Sequence, residues 1–424
     1  MLLPNTGIPD QLINKEDTKI RYSLEALRGV AAFIVVWCHA IENFNFLDPH
    51  YSPKGVLAFL PPSHLSVLLF FVLSGYVIGL STKQRLASKA TIRTYLKKRF
   101  LRIYPIYFVS MVVAVLIAQP YPIKTLLGNF TLTQVLLTPL VIENGPSWSL
   151  HYEVLYYLLF IPISFFRVPP FPAAIICMCI GVANMYAAPD APLLSSYAFG
   201  FAFWLVGLGL AHSAKHLPDF QTSYQVLIGM LLVLLSMYQF NILETVTLKV
   251  TRLLTGETLF FKPGKPYETQ IRFNDMAFLP YAAAYILLFA DKSFPYRRII
   301  LICLFGLPAL TFGYLALRFK ELDLASYILA TFFYLMGIAA MLVKSDALEQ
   351  LSQRLMNPLI KLGSISYGMY IIHIPILFIF HRVETFSGTA LTYWVRFAIA
   401  IPAVILAAYW LEKKFQPRVR SLFH

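Results

Sequence analysis

Apolar residues in this chain come in blocks about twenty long, recurring from residue 24 almost to the end. A bilayer core about 30 Å thick takes about 20 helical residues to cross. Within it every backbone N–H and C=O must find its partner inside the protein, which a helix provides. Twelve such blocks are readable, near 24–44, 64–81, 101–118, 148–166, 171–188, 194–212, 224–243, 276–291, 298–317, 324–343, 363–381 and 391–411. They predict an all-α fold, a polytopic transmembrane helix bundle of about 10–12 membrane helices. If two weak blocks are re-entrant or interfacial, ten remain and the parity is unchanged. Composition agrees: 58% of residues are hydrophobic and 13% charged, against about 25% charged in soluble domains.

The blocks leave no stretch long enough for a soluble domain, so residues 1–424 read as one integral-membrane domain. Residues 1–22 form a polar N-terminal tail, 82–100 a basic and helical cytoplasmic segment, and 244–275 a long outer loop. The N-terminus lacks the apolar core of a cleaved signal, since Pro4, Pro9, Asp10, Glu16 and Asp17 precede the first block. No internal repeat is visible.

The net charge is +14. Nucleic acid is a poor partner for so apolar a chain. With the N-terminus placed inside and the spans alternating, 24 of the 35 lysines and arginines fall on the inner side. This is the bias of cytoplasmic loops, and it predicts both termini in the cytoplasm. Cys38, Cys177, Cys179 and Cys303 all lie in apolar blocks and read as small buried hydrophobes. No HExxH or Cys/His zinc spacing occurs, so no metal is expected.

Against this apolar background a few polar residues stand out. Arg28 and His39 share the first block. Eleven residues turn a helix by about 1100° and advance it by about 16 Å, so the two share one face. That spacing predicts an arginine at the membrane edge and an imidazole near mid-membrane, with Glu42 one turn further. Ionisable groups at such depth face a cavity or a partner. A neutral imidazole there is suited to act as base or nucleophile. Arg99 and Arg102 lie three apart where the basic segment meets a membrane helix, an arrangement suited to gripping phosphate as well as to simple anchoring. Ser74-Gly75 lies inside the second block, where small residues usually permit close helix packing and a hydroxyl could bond an acyl oxygen. Glu153 follows Trp148 by five residues, about 8 Å if the tryptophan marks the outer interface. Ser366, Tyr370 and His373 form a stripe that brings His373 close to the depth of His39.

Together these residues resemble the acyltransferase-3 family of membrane O-acyltransferases, whose members acylate glycans of the cell envelope and some macrolides. Arg28-Gly-Val…Cys38-His39 resembles its first-helix signature, an arginine, ten residues and a histidine. Phe70-Phe-Val-Leu-Ser-Gly-Tyr76, Arg99-Phe-Leu-Arg-Ile-Tyr-Pro105, Trp148-Ser-Leu-His-Tyr-Glu153 and Ser366-Tyr-Gly-Met-Tyr-Ile-Ile-His373 resemble its later motifs, in family order. The resemblance runs from residue 21 to about 412. It implies a cytoplasmic acyl-CoA donor, usually acetyl-CoA, and an extracytoplasmic or lipid-linked saccharide acceptor. It also implies a multi-pass protein of a bacterial inner membrane. Arg28, Arg99 and Arg102 would then hold the donor, and His39, Glu153, His373 and Ser74 would carry the chemistry. Some members carry a fused hydrolase-like domain for which this chain has no room, which leaves a place for a partner transferase or a second copy. Two rival classes use similar residues. A proton-coupled transporter would show repeats or broken paired spans, and a lipid-linked glycosyltransferase would show an acidic metal cluster in an outer loop. Neither signature is visible.

Overall fold

The structure is a computed structural model, and it describes residues 15–42, 45–188, 191–255, 270–320 and 322–423, without the side chains of 15–21, 254 and 255. The polar tail therefore lies largely outside the described residues. Of the expected outer loop 244–275, residues 244–255 are helical and 256–269 lie outside the described residues.

Regular structure among the described residues is helical. The chain order is α1 (Lys15–Ile41), α2 (Ser63–Ser81), α3 (Lys89–Ile117), α4 (Ile123–Phe130), α5 (Ser147–Phe166), α6 (Pro170–Ala187), α7 (Leu193–Ser213), α8 (Tyr224–Ser236) and α9 (Ile242–Thr255). It continues with α10 (Leu279–Phe289), α11 (Arg297–Gly306), α12 (Leu310–Leu317), α13 (Ala325–Leu342), α14 (Asp346–Gly363), α15 (Ser366–His381), α16 (Ala390–Trp410) and α17 (Gln416–Ser421).

Nine segments among the described residues are long and apolar enough to cross a membrane. The pair α14 and α15, bent by 69° where they join, is a broken span, which would make a tenth, or a re-entrant loop. The remaining two expected blocks form shorter apolar helices, Tyr224–Ser236 and Phe273–Phe289. Thirteen residues rise only about 20 Å, too short for a bilayer core. The bundle is thus all-α and polytopic, with nine segments able to span, or ten with the bent pair, against the ten to twelve expected.

Residues 82–100 and 101–118, read as a cytoplasmic segment and a span, prove to be largely one rod. Ser88 caps α3 with a Ser88/Thr91 capping box, and the helix runs unbroken to Ile117. Its first turns are basic and exposed and its last turns apolar. The exposed basic turns of α3 mark what is called here the basic end of the bundle. The C-terminal segment returns to the same end, where Lys97 donates to the carbonyl of Phe423.

Two close helix contacts position the site. A Cβ on Gly75 would lie 1.9 Å from the Trp204 carbonyl, and one on Gly207 would lie 2.0 Å from that of Val72. Any larger residue at these points would push α2 and α7 apart, so Gly75 is what sets Ser74 against Trp204. Gly363, at the α14–α15 bend, sits equally tight against the Glu25 carbonyl of α1. That contact fixes α15, and with it His373, in register with α1.

Candidate active site

A cavity of about 160 Å3 opens among α1, α2, α3, α5 and α15 toward the basic end. Its walls include Arg28, Arg99 and Arg102, as well as Ser74, Glu153 and Tyr157. Phe70, Ser149 and Tyr370 also line it.

The three arginines are held differently. Arg28 is paired with Glu25 at 2.7 Å, both side chains partly exposed. Arg102 donates to Glu412 at 2.9 Å and to Gln416 at 3.4 Å, and Glu412 is buried. Arg99 lies over the rings of Tyr95 and Tyr157, 5.7 and 5.9 Å from their centroids. It reaches the Ser81 hydroxyl at 3.3 Å, and its Nε is shielded from solvent without a hydrogen-bond partner. No carboxylate of the described residues is within ion-pair distance of Arg99.

Deeper in the cavity, Ser74 of α2 donates to Glu153 Oε1 at 2.8 Å, and Tyr157 donates to the same oxygen. The Trp204 indole N–H donates to Ser74 at 3.3 Å. The Ser74 hydroxyl proton is therefore committed to Glu153, which takes it away from the oxyanion-donor role expected of Ser74. Two donors converge on one carboxylate oxygen, and Oε2 remains as the acceptor in a site where a carboxylate has acceptors only. Glu153 thus stands on the wall shared with the arginines. The expectation of a position near the outer interface rested on Trp148 marking that interface. Instead Trp148 is buried against Phe71 and Tyr152, because the chain before α5 dips into the bundle and leaves Asn144 and Ser147 without exposure.

His39 and His373 form a pair. His39 Nδ1 lies 2.9 Å from His373 Nε2, with the rings 5.1 Å apart and 18° from parallel. His373 Nδ1 lies 2.7 Å from the Tyr370 carbonyl. A carbonyl can only accept, so His373 Nδ1 carries the proton. With both rings neutral, His373 Nε2 is then an acceptor and His39 Nδ1 the donor to it. That leaves the lone pair of His39 on Nε2. Glu42 Oε2 is 4.0 Å from that atom.

Neither histidine is among the residues lining the cavity. Tyr370 separates them from it. The tyrosine lines the cavity, bonds Ser149 at 2.7 Å, meets Phe70 edge-on and packs 6.1 Å from the His373 ring. His39 lies two residues before the end of α1, nearer the far end of its helix than the middle. The 11-residue step from Arg28 is as counted, but Arg28 lies inside the bundle rather than at its edge, so the histidine is carried further along.

With this geometry in view, the chain can be set beside known proteins. The profile of the acyltransferase-3 family, described as an acyltransferase domain, matches residues 21–290 and 282–413. The chain belongs to that family. Among relatives of the acyltransferase-3 chain, Acyltransferase MdmB of Streptomyces mycarofaciens is 30% identical over 208 residues, 43% of this chain and 52% of that protein. Protein 2 in picA locus of Rhizobium radiobacter is 37% identical over 89 residues, 21% of this chain and 40% of that protein. The chain thus aligns with about half, or less, of the length of these curated relatives. No solved structure matches it.

The acyltransferase-3 motifs are brought together by the fold in two groups. Arg28, Arg99, Arg102, Ser74 and Glu153 share the cavity, while His39 and His373 share a hydrogen bond behind Tyr370. Trp204 and Glu412 were not singled out from sequence. Trp204 looks like one more aromatic in an apolar helix. Glu412 carried a faint signal, an acid directly after an apolar span, and it is buried with 3% side-chain exposure. No group of three or more His, Cys, Asp or Glu side chains suited to a metal occurs among the described residues.

Proposed function

We propose that the protein moves a small acyl group, acetyl first, from an acyl-CoA entering at the basic end to a hydroxyl approaching from the opposite end. The basic end is then the cytoplasmic side of a bacterial inner membrane, as the lysine and arginine bias indicates, and both termini are cytoplasmic. The acceptor is an extracytoplasmic or lipid-linked saccharide. One observation carries this reading: the arginine-lined cavity ends at Tyr370, and the carbonyl of that same residue orients the histidine pair so that His39 Nε2 is free.

The cavity size bears on the acyl group. A cavity near 150 Å3 accommodates a benzene-sized guest, so about 160 Å3 suits an acetyl or other short acyl group and the thioester next to it. The bulk of coenzyme A must remain at the mouth. In transfer, His39 Nε2 takes the acceptor hydroxyl proton as the oxygen attacks the thioester carbon. The C–S bond breaks, the new ester forms, and the imidazolium returns its proton to the departing thiolate. His373 fixes the tautomer and orientation of His39, as the third member of a catalytic triad does for its base. Glu153, held by Ser74 and Tyr157, offers Oε2 to the donor at the cavity wall. Tyr370 and Phe70 must move for the acyl group to reach the imidazole.

The test is transfer from labelled acetyl-CoA by the purified protein, paired with mass spectrometry of cellular glycans with and without the gene. Absence of any acyl turnover or acyl-enzyme with acetyl-CoA and longer acyl-CoAs would overturn the reading.

A further inference from the structure

Glu42 follows His39 by three residues, so it lies one turn further toward the end of α1 that is away from the basic end. An acceptor approaching from that side meets Glu42 before it meets the imidazole. Glu42 Oε2 stands 4.0 Å from His39 Nε2. A hydrogen bond between nitrogen and oxygen is about 2.7–3.2 Å long, so the two atoms do not satisfy each other. With His39 neutral they cannot, because the tautomer set by His373 leaves a lone pair on Nε2 and a carboxylate only accepts. Two acceptors thus stand side by side. Their side chains are partly exposed, 22% for His39 and 32% for Glu42. Among the described residues no other hydrogen bond or ion pair engages the Glu42 carboxylate.

An apolar wall stands beside the pair. Phe46 meets the His39 ring edge-on, with 6.3 Å between centroids, and packs 5.2 Å from Phe378. Carboxylate, imidazole and aromatic wall together suit a ring that carries hydroxyls on adjacent carbons. Its C–H face can lie on Phe46 while two O–H groups reach the two acceptors.

We propose that Glu42 is a specificity residue for the acceptor: it takes the hydroxyl next to the one being acylated, so that the protein selects vicinal diols over lone hydroxyls. The proposal rests on the transfer reading, in which His39 Nε2 receives the acceptor proton. One O–H donates to Nε2 and is acylated. Its neighbour donates to Glu42 Oε2 and stays unmodified. That second bond is charge-assisted, and it decides which ring oxygen faces the thioester. It also holds the reacting oxygen against the imidazole in the orientation that attack requires. A lone hydroxyl makes only the first bond and leaves Glu42 without a donor. Sites that bond a substrate hydroxyl reject analogues lacking it far more strongly than apolar pockets reject a missing methylene.

The experiment offers the purified full-length protein acetyl-CoA and two small acceptors, trans-1,2-cyclohexanediol and cyclohexanol. The wild type is expected to favour the diol in kcat/KM by about tenfold or more, the size of one charge-assisted hydrogen bond and beyond the statistical advantage of a second hydroxyl. In Glu42→Ala that preference should fall to the statistical value. In Glu42→Gln, whose amide oxygen still accepts but carries no charge, it should be intermediate. The preference is a ratio within one preparation, so partial misfolding of a variant does not alter it. Equal losses on both acceptors would make Glu42 a partner of the His39 imidazolium and overturn the proposal, as would an undiminished preference in Glu42→Ala. If neither alcohol is acylated, the position of the acyl group on glycans of cells making the protein decides. An acyl group beside a free hydroxyl, reduced about tenfold or more in Glu42→Ala, supports the proposal, and one whose neighbouring carbons bear no hydroxyl overturns it. Transfer without diol preference sinks this proposal alone, whereas absence of transfer to every acceptor sinks the transfer reading and this proposal with it.

Discussion

The two ends of this bundle use arginine in opposite ways. At the end away from the basic cluster, Arg396 of α16 is almost fully buried. It donates to the carbonyls of Phe386 at 2.6 Å, Phe380 at 2.7 Å and Leu47 at 3.1 Å, and to that of Val383. Buried Asp48 stands 3.8 Å away and itself accepts from the backbone N–H groups of His50 and Gly388. Gly388 has φ +92°, a conformation that side chains avoid, which lets its N–H turn toward the carboxylate. Arg396 thus ties the loop after α1, the end of α15 and the loop that follows it to α16, with four of its five N–H groups engaged. Arg99, at the basic end, has most of its donors unused. The same residue type is structural where it is buried among backbone carbonyls of its own chain, and keeps N–H groups unengaged where it is partly exposed and its partners are ring faces.

Removing Arg396 is the strongest way to probe that contrast. Arg396→Met leaves four carbonyls and a buried carboxylate without their partner, and breaking a buried pair of this kind typically costs about 3–5 kcal/mol. A large drop in thermal stability by size-exclusion in detergent is expected. A variant as stable as the wild type would show that the far end is not held by this residue.

His39→Ala should act in the reverse sense. Activity falls by at least about 10²-fold, the typical worth of a positioned base, while thermal stability changes little because the side chain is partly exposed. Near-normal transfer in a well-folded variant would remove His39 from the chemistry. His373→Ala should lower kcat without changing KM for the donor, since it acts through the tautomer of His39. His373→Gln, which retains a side-chain acceptor, should lose less.

Glu153→Gln keeps the shape and replaces one acceptor by donors. A fall in transfer of about tenfold is expected, the size of one charge-assisted hydrogen bond, with coenzyme A binding retained. Loss of coenzyme A binding as well would show that Glu153 holds the donor in place rather than acting in the transfer step.

The smallest effect belongs to Glu25. Its pair with Arg28 is half exposed and local, a type worth about 0.3–0.5 kcal/mol. Glu25→Gln should barely alter stability. If it changes the KM for acetyl-CoA severalfold, Arg28 contributes more to the donor than its pairing suggests, and the contrast among the three arginines narrows.

The fold was legible because apolar length is a local property: all twelve blocks appear as helices, and two of them, within Tyr224–Ser236 and Phe273–Phe289, fall short of a span. The motif residues were legible because side chains three, four and seven apart share a helix face. What the sequence could not convey were partners on distant helices. Trp204 reaches Ser74 across 130 residues and Glu412 reaches Arg102 across 310. Nothing local marks either contact. Burial of a marker residue is hidden for a related reason: Trp148 is packed against Phe71 and Tyr152, and Phe71 is 77 residues away in sequence.

The carbonyl of Tyr370 has one more consequence. A proton arriving at His39 Nε2 can push the proton of Nδ1 onto His373, but His373 Nδ1 faces an oxygen that cannot take one in turn. The two imidazoles therefore form a cul-de-sac rather than a wire. A proton taken up at His39 Nε2 leaves from that same atom, so in the proposed transfer it can pass only to a group that reaches Nε2, such as the departing thiolate, and none travels on beyond His373.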